Sequence, residues 1–241
     1  MTKQGKFIVF EGLNGCGKGI AVNYAKKYFN TKKVYDIREH MRKRHDLPEP
    51  EELEQYDVIL SAEPTHSWVG AAIRQEMFYD NGRDYTGQNM LSAYSLDRLL
   101  LYKRVLVPFR KKGGIIIQER TFSTTLIQQP VQKHEPVDID TIVDHPNHRF
   151  VLKNMPDLIV VYKVKPEQVA KWLAVREEQE NDIFEKLEMQ KKFQKRWESN
   201  WFREFFEERG TEIQYVENYN SLEAFNETVR KLYRENFPNS D

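Results

Sequence analysis

The chain has 241 residues, of which 39% are hydrophobic, 12% aromatic and 31% charged. That is enough apolar material for one α/β domain with a sizeable core, and it excludes a disordered tail. Lysine plus arginine balances aspartate plus glutamate at 37 each, which removes the electrostatic argument for a nucleic-acid or membrane partner.

Residues 6–11 (Lys-Phe-Ile-Val-Phe-Glu) form a short apolar run that predicts a buried parallel strand. A glycine-rich stretch follows, and after Lys18 apolar residues recur at helical spacing. Residues 30–55 are polar, basic over 38–44 and acidic near 49–54, and read as a surface insertion. Residues 58–62 predict a second strand. Residues 68–81 and 88–112 read as helices, the latter bent at Pro108 and stopped at Gly113-Gly114. Residues 115–118 predict a third strand and 158–164 a fourth, with Pro166 opening the next helix. A charged helix over 186–209, a fifth strand over 212–217 and a terminal helix over 222–236 complete the series. Strands alternating with helices imply a three-layer α/β fold, a five-stranded parallel sheet with helices on both faces. With no repeat, linker or composition break, residues 1–241 read as a single domain.

The strongest motif is Gly12-Leu13-Asn14-Gly15-Cys16-Gly17-Lys18, which has the spacing Gly-x-x-x-x-Gly-Lys between a strand and a helix. Glycines let successive backbone N–H groups turn inward around phosphate oxygens, and the helix N-terminus adds positive potential. Lys18 reaches the β- and γ-phosphates as a point charge. Gly12, Asn14, Gly15, Cys16, Gly17, Lys18, Gly19 and Ile20 are thus the candidate triphosphate-binding residues of a P-loop NTPase fold. The pattern ordinarily continues with Ser or Thr, whose hydroxyl holds Mg²⁺; here Gly19 and Ile20 offer no side-chain oxygen. Metal would then be held by water, phosphates and more distant carboxylates.

The lone cysteine, Cys16, permits no intramolecular disulfide and reads as a small filler in the loop. Residues 1–6 lack the apolar core of a secretion signal, and no run approaches the roughly 20 apolar residues that span a bilayer. A cytoplasmic location is the expectation. His134, His145 and His148 lie in a polar stretch with irregular spacing and read as surface residues.

Further motifs appear in order: Glu63-Pro64-Thr65 after the second strand, Asp97-Arg98 in the long helix, Glu119-Arg120 closing the third strand, and Pro156-Asp157-Leu158 opening the fourth. Together with the loop, this series resembles the thymidylate kinases, particularly their archaeal-type branch. The resemblance implies transfer of the ATP γ-phosphoryl group to a deoxypyrimidine nucleoside monophosphate, dTMP giving dTDP, with Mg²⁺. It also implies a homodimer.

By that resemblance Arg98 and Arg120 face the acceptor phosphate, which suits forked guanidiniums. Glu63 sits near the acceptor sugar and the metal, and Glu119 orients metal-bound water. Gln129 meets the thymine edge. Phe78 and Tyr94 read as base-stacking rings or as core. Residues 176–186 resemble the family's lid, with Arg176 as its catalytic arginine. The catalytic set is thus Lys18, Arg98, Glu119 and Arg176. Departures from the family pattern include Asn14 for Asp, Gly19 for Ser or Thr, Ala62 for Arg and Glu119 for Asp, and Thr121 and Gln128 stand where the family has tyrosines. Those departures keep two other readings open, a degenerate nucleotide-binding member and a kinase for another acceptor.

Overall fold

A computed structural model describes residues 4–79, 81–132, 135–174, 186–217 and 221–238. Its centre is a parallel sheet of six strands, in the order β2-β3-β4-β1-β5-β6. The strands are β1 (Phe7–Gly12), β2 (Val34–Asp36), β3 (Val58–Ala62), β4 (Ile115–Glu119), β5 (Leu158–Lys163) and β6 (Glu212–Glu217). β1 and β3 are buried throughout, as continuous apolar runs in a doubly covered sheet should be.

The five-strand expectation is therefore one short. The added strand β2 has three residues, too few to show alternation, and it lies inside the polar stretch read as a surface insertion. It pairs Val34 with Val58 and Asp36 with Leu60 at the sheet edge. Helix α2 (Ile37–Arg44) follows immediately, with Asp36 as its N-cap accepting from the Arg38 N–H.

Helix α1 (Lys18–Tyr28) leaves the glycine loop. Helix α3 (Trp68–Ala72) runs on into a π-helical turn, Ile73–Met77. The long helix is α4 (Gly87–Leu101), then a second π turn over Tyr102–Leu106, then α5 (Val107–Lys111). The distortion foreseen at Pro108 thus takes the form of wider winding just before it, where the proline removes one backbone N–H donor. Beyond β4 come α6 (Phe122–Gln128), α7 (Ile139–Asp144) and α8 (Pro146–Leu152). α9 (Pro166–Ala174) follows β5. The stretch read as one helix over 186–209 divides into α10 (Leu187–Trp197) and α11 (Asn200–Glu207), because Ser199 caps a new helix by accepting from the Phe202 N–H. The last helix, α12 (Leu222–Asn236), packs back on α1, where the Tyr233 hydroxyl donates to the Ala21 carbonyl at 3.0 Å.

Register places the site. Ala62 and Glu119 are partners across β3 and β4, and Phe10 and Glu119 across β1 and β4. The residues after Ala62, Glu119 and Gly12 are therefore neighbours at the carboxyl edge of the sheet, where ligands of open α/β sheets bind.

Candidate active site

The loop from β1 to α1 turns through Gly15 at φ 83° and Gly17 at φ 100°. A side chain at either would be strained and would also collide: a Cβ on Gly15 meets Leu173 at 2.8 Å, and one on Gly17 meets Phe225 at 2.9 Å. Lys18, the first residue of α1, folds back so that Nζ donates to the carbonyls of Leu13 at 2.7 Å and Gly12 at 3.2 Å. Burial, and then the charge of Arg120, holds its pKa below the usual lysine value. A cation parked on neutral carbonyls is poised to exchange them for phosphate oxygens. Cys16 is fully buried in the core cluster, and burial pushes its thiol up.

Arg120 stands just past β4 at φ 64°, a left-handed conformation that costs a non-glycine residue roughly 1 kcal/mol or more. The backbone holds it there: its N–H donates to the Phe10 carbonyl, and its own carbonyl accepts from Gln118 Nε2 at 2.8 Å. The guanidinium donates to Asn14 Oδ1 at 2.8 Å, bridging the strand end to the loop. Beside it, the Glu119 carboxylate lies 3.3 Å from where a Cβ on Gly19 would sit. Glu119 thus occupies the space next to the missing loop hydroxyl.

Glu63 and Arg98 meet in a different environment. Both are nearly fully buried, and Arg98 Nε donates to Glu63 Oε2 at 2.5 Å. Gln118 Nε2 donates to the other Glu63 oxygen at 3.0 Å. Burial pushes the Glu63 carboxyl up to about 7, against the opposing pull of Arg98. Both Glu63 oxygens thus already accept from protein donors. Arg98 is enclosed in turn: Nη2 donates to Thr125 Oγ1 at 3.0 Å, and Nη1 meets His148 Nε2 at 3.0 Å. His148 Nδ1 contacts the Ile142 carbonyl at 2.6 Å. A carbonyl only accepts, so Nδ1 carries the proton and Nε2 accepts from Arg98. His148, read from sequence as a surface residue, is therefore a buried neutral imidazole, its pKa lowered to about 3 by burial and the adjacent guanidinium.

Gln129 follows α6 and is 3% exposed, yet neither its amide nitrogen nor its amide oxygen has a hydrogen-bond partner among the described residues. Phe78 and Tyr94 are half-buried, their rings 6.4 Å apart, and pack against the core. His134, Arg176 and all but the last residue of the lid segment read over 176–186 lie outside the described residues.

Three groups escaped sequence reasoning. Glu11, the one acid in the apolar β1, accepts from the Thr121 N–H and from the hydroxyls of Ser123 and Thr124, tying the loop to α6. Arg74 donates Nε to the Pro64 carbonyl at 2.9 Å and is drawn below its usual pKa, first by burial. Gln118 follows three isoleucines in β4. For Glu11 and Gln118 the signal is a polar residue closing an apolar strand, which a covered strand tolerates only with a partner; Arg74, in a polar stretch, gave none.

The strand, phosphate loop and helix, with Lys18 at the loop and arginine at a neighbouring strand end, define a P-loop nucleotide-binding protein of the kinase type. The thymidylate kinase family model matches residues 50–235. The thymidylate kinase of Caldanaerobacter subterraneus subsp. tengcongensis is 26% identical over 169 residues, 70% of this chain and 68% of its own. That of Desulfotalea psychrophila is 25% identical over 191 residues, 79% of each chain. The fold is similar to the solved thymidylate kinases of Candida albicans and Ehrlichia chaffeensis. The TM-scores are 0.63 and 0.59, each at 14% identity, covering 99% and 96% of this chain and 94% and 98% of theirs. The chain belongs to the thymidylate kinase family. No described helix is long and apolar enough to cross a membrane.

Proposed function

We propose that the protein is a nucleoside monophosphate kinase that transfers the γ-phosphoryl group of ATP to dTMP, giving ADP and dTDP. Family membership supports the reaction, and one contact carries the assignment of sites: Arg120, from the acceptor side, bonded to Asn14 inside the donor loop. That contact supports a role for the guanidinium between the donor and acceptor phosphates. In the reaction an acceptor phosphate oxygen forms the new P–O bond while the bond to the β–γ bridging oxygen breaks, and ADP leaves with that electron pair. Little covalent help is needed, so position and charge neutralisation do the work.

The loop N–H groups from Gly12 to Ile20 and the Lys18 ammonium take the triphosphate, and Arg120 steadies charge on the transferring group. Arg98 acts as a positioning residue that fixes Glu63 through their buried ion pair. The unpaired Gln129 amide suits a pyrimidine edge, which offers both a carbonyl acceptor and an imide N–H. Mg²⁺, when bound with ATP, neutralises phosphate charge. On the protein side Glu119, which lies beside the loop at Gly19, would help to hold it. A single domain, a cytoplasmic location and a homodimer belong to the same proposal.

The test is ADP release with ATP and Mg²⁺ against a panel of monophosphates. Turnover on dTMP, lost in K18A, is expected; tight ATP binding with no turnover on any acceptor would sink the proposal.

A further inference from the structure

Arg120 holds a left-handed backbone at φ 64° without being glycine, and the backbone groups on either side of it are tied from β1 and β4. Its own N–H donates to the Phe10 carbonyl at 3.1 Å, and its carbonyl accepts from Gln118 Nε2 at 2.8 Å. The next N–H, that of Thr121, donates to Glu11 Oε1 at 2.9 Å. A sparsely populated conformation of this kind persists only where its surroundings over-determine it. Of the three ties, one is made by a carboxylate.

Glu11 is fully buried in a strand whose other side chains are apolar. Among the described residues no cation bonds it. Besides the Thr121 N–H it accepts from the hydroxyls of Ser123 and Thr124, the latter at 2.8 Å from Oε2. An acid placed so deep with neutral donors alone is an unfavourable arrangement for packing by itself. Arg120 and Lys18, the two cations assigned above to phosphate, are charges that act on it.

The connection closes into a ring. Glu11 fixes the Thr121 amide, and the Arg120–Thr121 peptide fixes where the Arg120 side chain starts. The guanidinium donates to Asn14 Oδ1 at 2.8 Å, and Asn14 leads back through Leu13 and Gly12 to Glu11. Phosphate loop and strand-end arginine thereby share one anchor.

We propose that Glu11 is the positioning residue for Arg120: its carboxylate locks the Arg120–Thr121 peptide so that the guanidinium stays against the phosphate loop during transfer. The effect falls on rate and not on binding, because a charge already in place stabilises the transferring group without reorganising. The inference rests on the kinase reading above, and the experiment separates the two.

Methionine at position 11 keeps the length of the side chain and removes its acceptors, whereas glutamine keeps an acceptor for the Thr121 N–H. With ATP and dTMP, E11M should lower kcat about thirtyfold with both KM values within about twofold of wild type, and E11Q should recover most of that loss. In an R120A background E11M should cause no further loss, since its effect passes through the arginine. T124V, which releases Oε2 and disturbs packing less, should lower kcat several-fold with the same dependence on Arg120, and it carries the test if E11M fails to fold. Equal losses in E11M and E11Q, or losses in E11M or T124V that persist undiminished in R120A, would show a merely structural role and overturn the inference. Hydrogen exchange on the ligand-free chain reads the anchor without any reaction: residues 14–18 should exchange faster in E11M than in wild type or E11Q, and unchanged exchange there overturns the inference as well. If wild type turns over no acceptor while the loop responds in this way, the proposed reaction falls and the anchoring of Arg120 by Glu11 stands.

Discussion

Gln129 and Glu63 show how burial decides what a polar side chain does. Both are about 3% exposed, but Glu63 is satisfied by Arg98 and Gln118, whereas the Gln129 amide is unpaired. A buried amide without partners costs roughly 1–3 kcal/mol, a penalty that a ligand edge would remove. Q129L should therefore stabilise the ligand-free protein by about 1 kcal/mol while raising the KM for dTMP about tenfold and leaving that for ATP unchanged. Denaturant unfolding and steady-state kinetics on one preparation read both, and a destabilised Q129L with unaltered KM would refute the role. Both residues could be picked from sequence, but burial, which alone separates the satisfied group from the waiting one, depends on distant segments.

At the scale of elements, the phosphate loop was legible because its geometry is local. Strand, glycines, lysine and helix lie within residues 7–28. The departure at Gly19 was equally legible, but its compensation was not. Glu119 reaches that space from β4, about a hundred residues away, by pairing with Phe10. A Cβ at 3.3 Å from Glu119 is tight, so a serine fits only if that carboxylate gives by a few tenths of an ångström. G19S should lower the Mg²⁺ concentration for half-maximal rate several-fold, because a hydroxyl then joins Glu119 in reach of the metal. Titrating Mg²⁺ at fixed ATP checks this, and an unmoved midpoint would mean that Glu119 already supplies all the protein offers. The edge strand β2 escaped for the opposite reason: three half-exposed residues have no periodicity, and only pairing with β3 makes them a strand.

For the molecule as a whole, the buried charge layout sets the response to pH. His148 takes up a proton below about 6.5 when unfolded but stays neutral to about 3 when folded, so acid favours the unfolded chain. His66 behaves alike. Glu63 works in the other direction: folded, it binds a proton from about 7 downward, whereas unfolded it does so only near 4.5, so acid in that window favours the folded chain. H148Q keeps an acceptor for Arg98 but cannot titrate. Between pH 7 and pH 5 it should lose about 2 kcal/mol less stability than wild type, following the linkage slope of about 1.4 kcal/mol per pH unit below 6.5. Unfolding midpoints at the two pH values measure the difference, and parallel losses would show that His148 is charged in the folded state. By itself the sequence determined the alternating architecture, the loop and the order of its motifs, because hydrophobic period and glycine geometry act over a few residues. Only the tertiary structure decided which arginines are enclosed, that a sixth strand exists, and that Glu119 fills the gap beside Gly19. Those outcomes depend on burial and register between segments far apart in the chain, which no local pattern encodes.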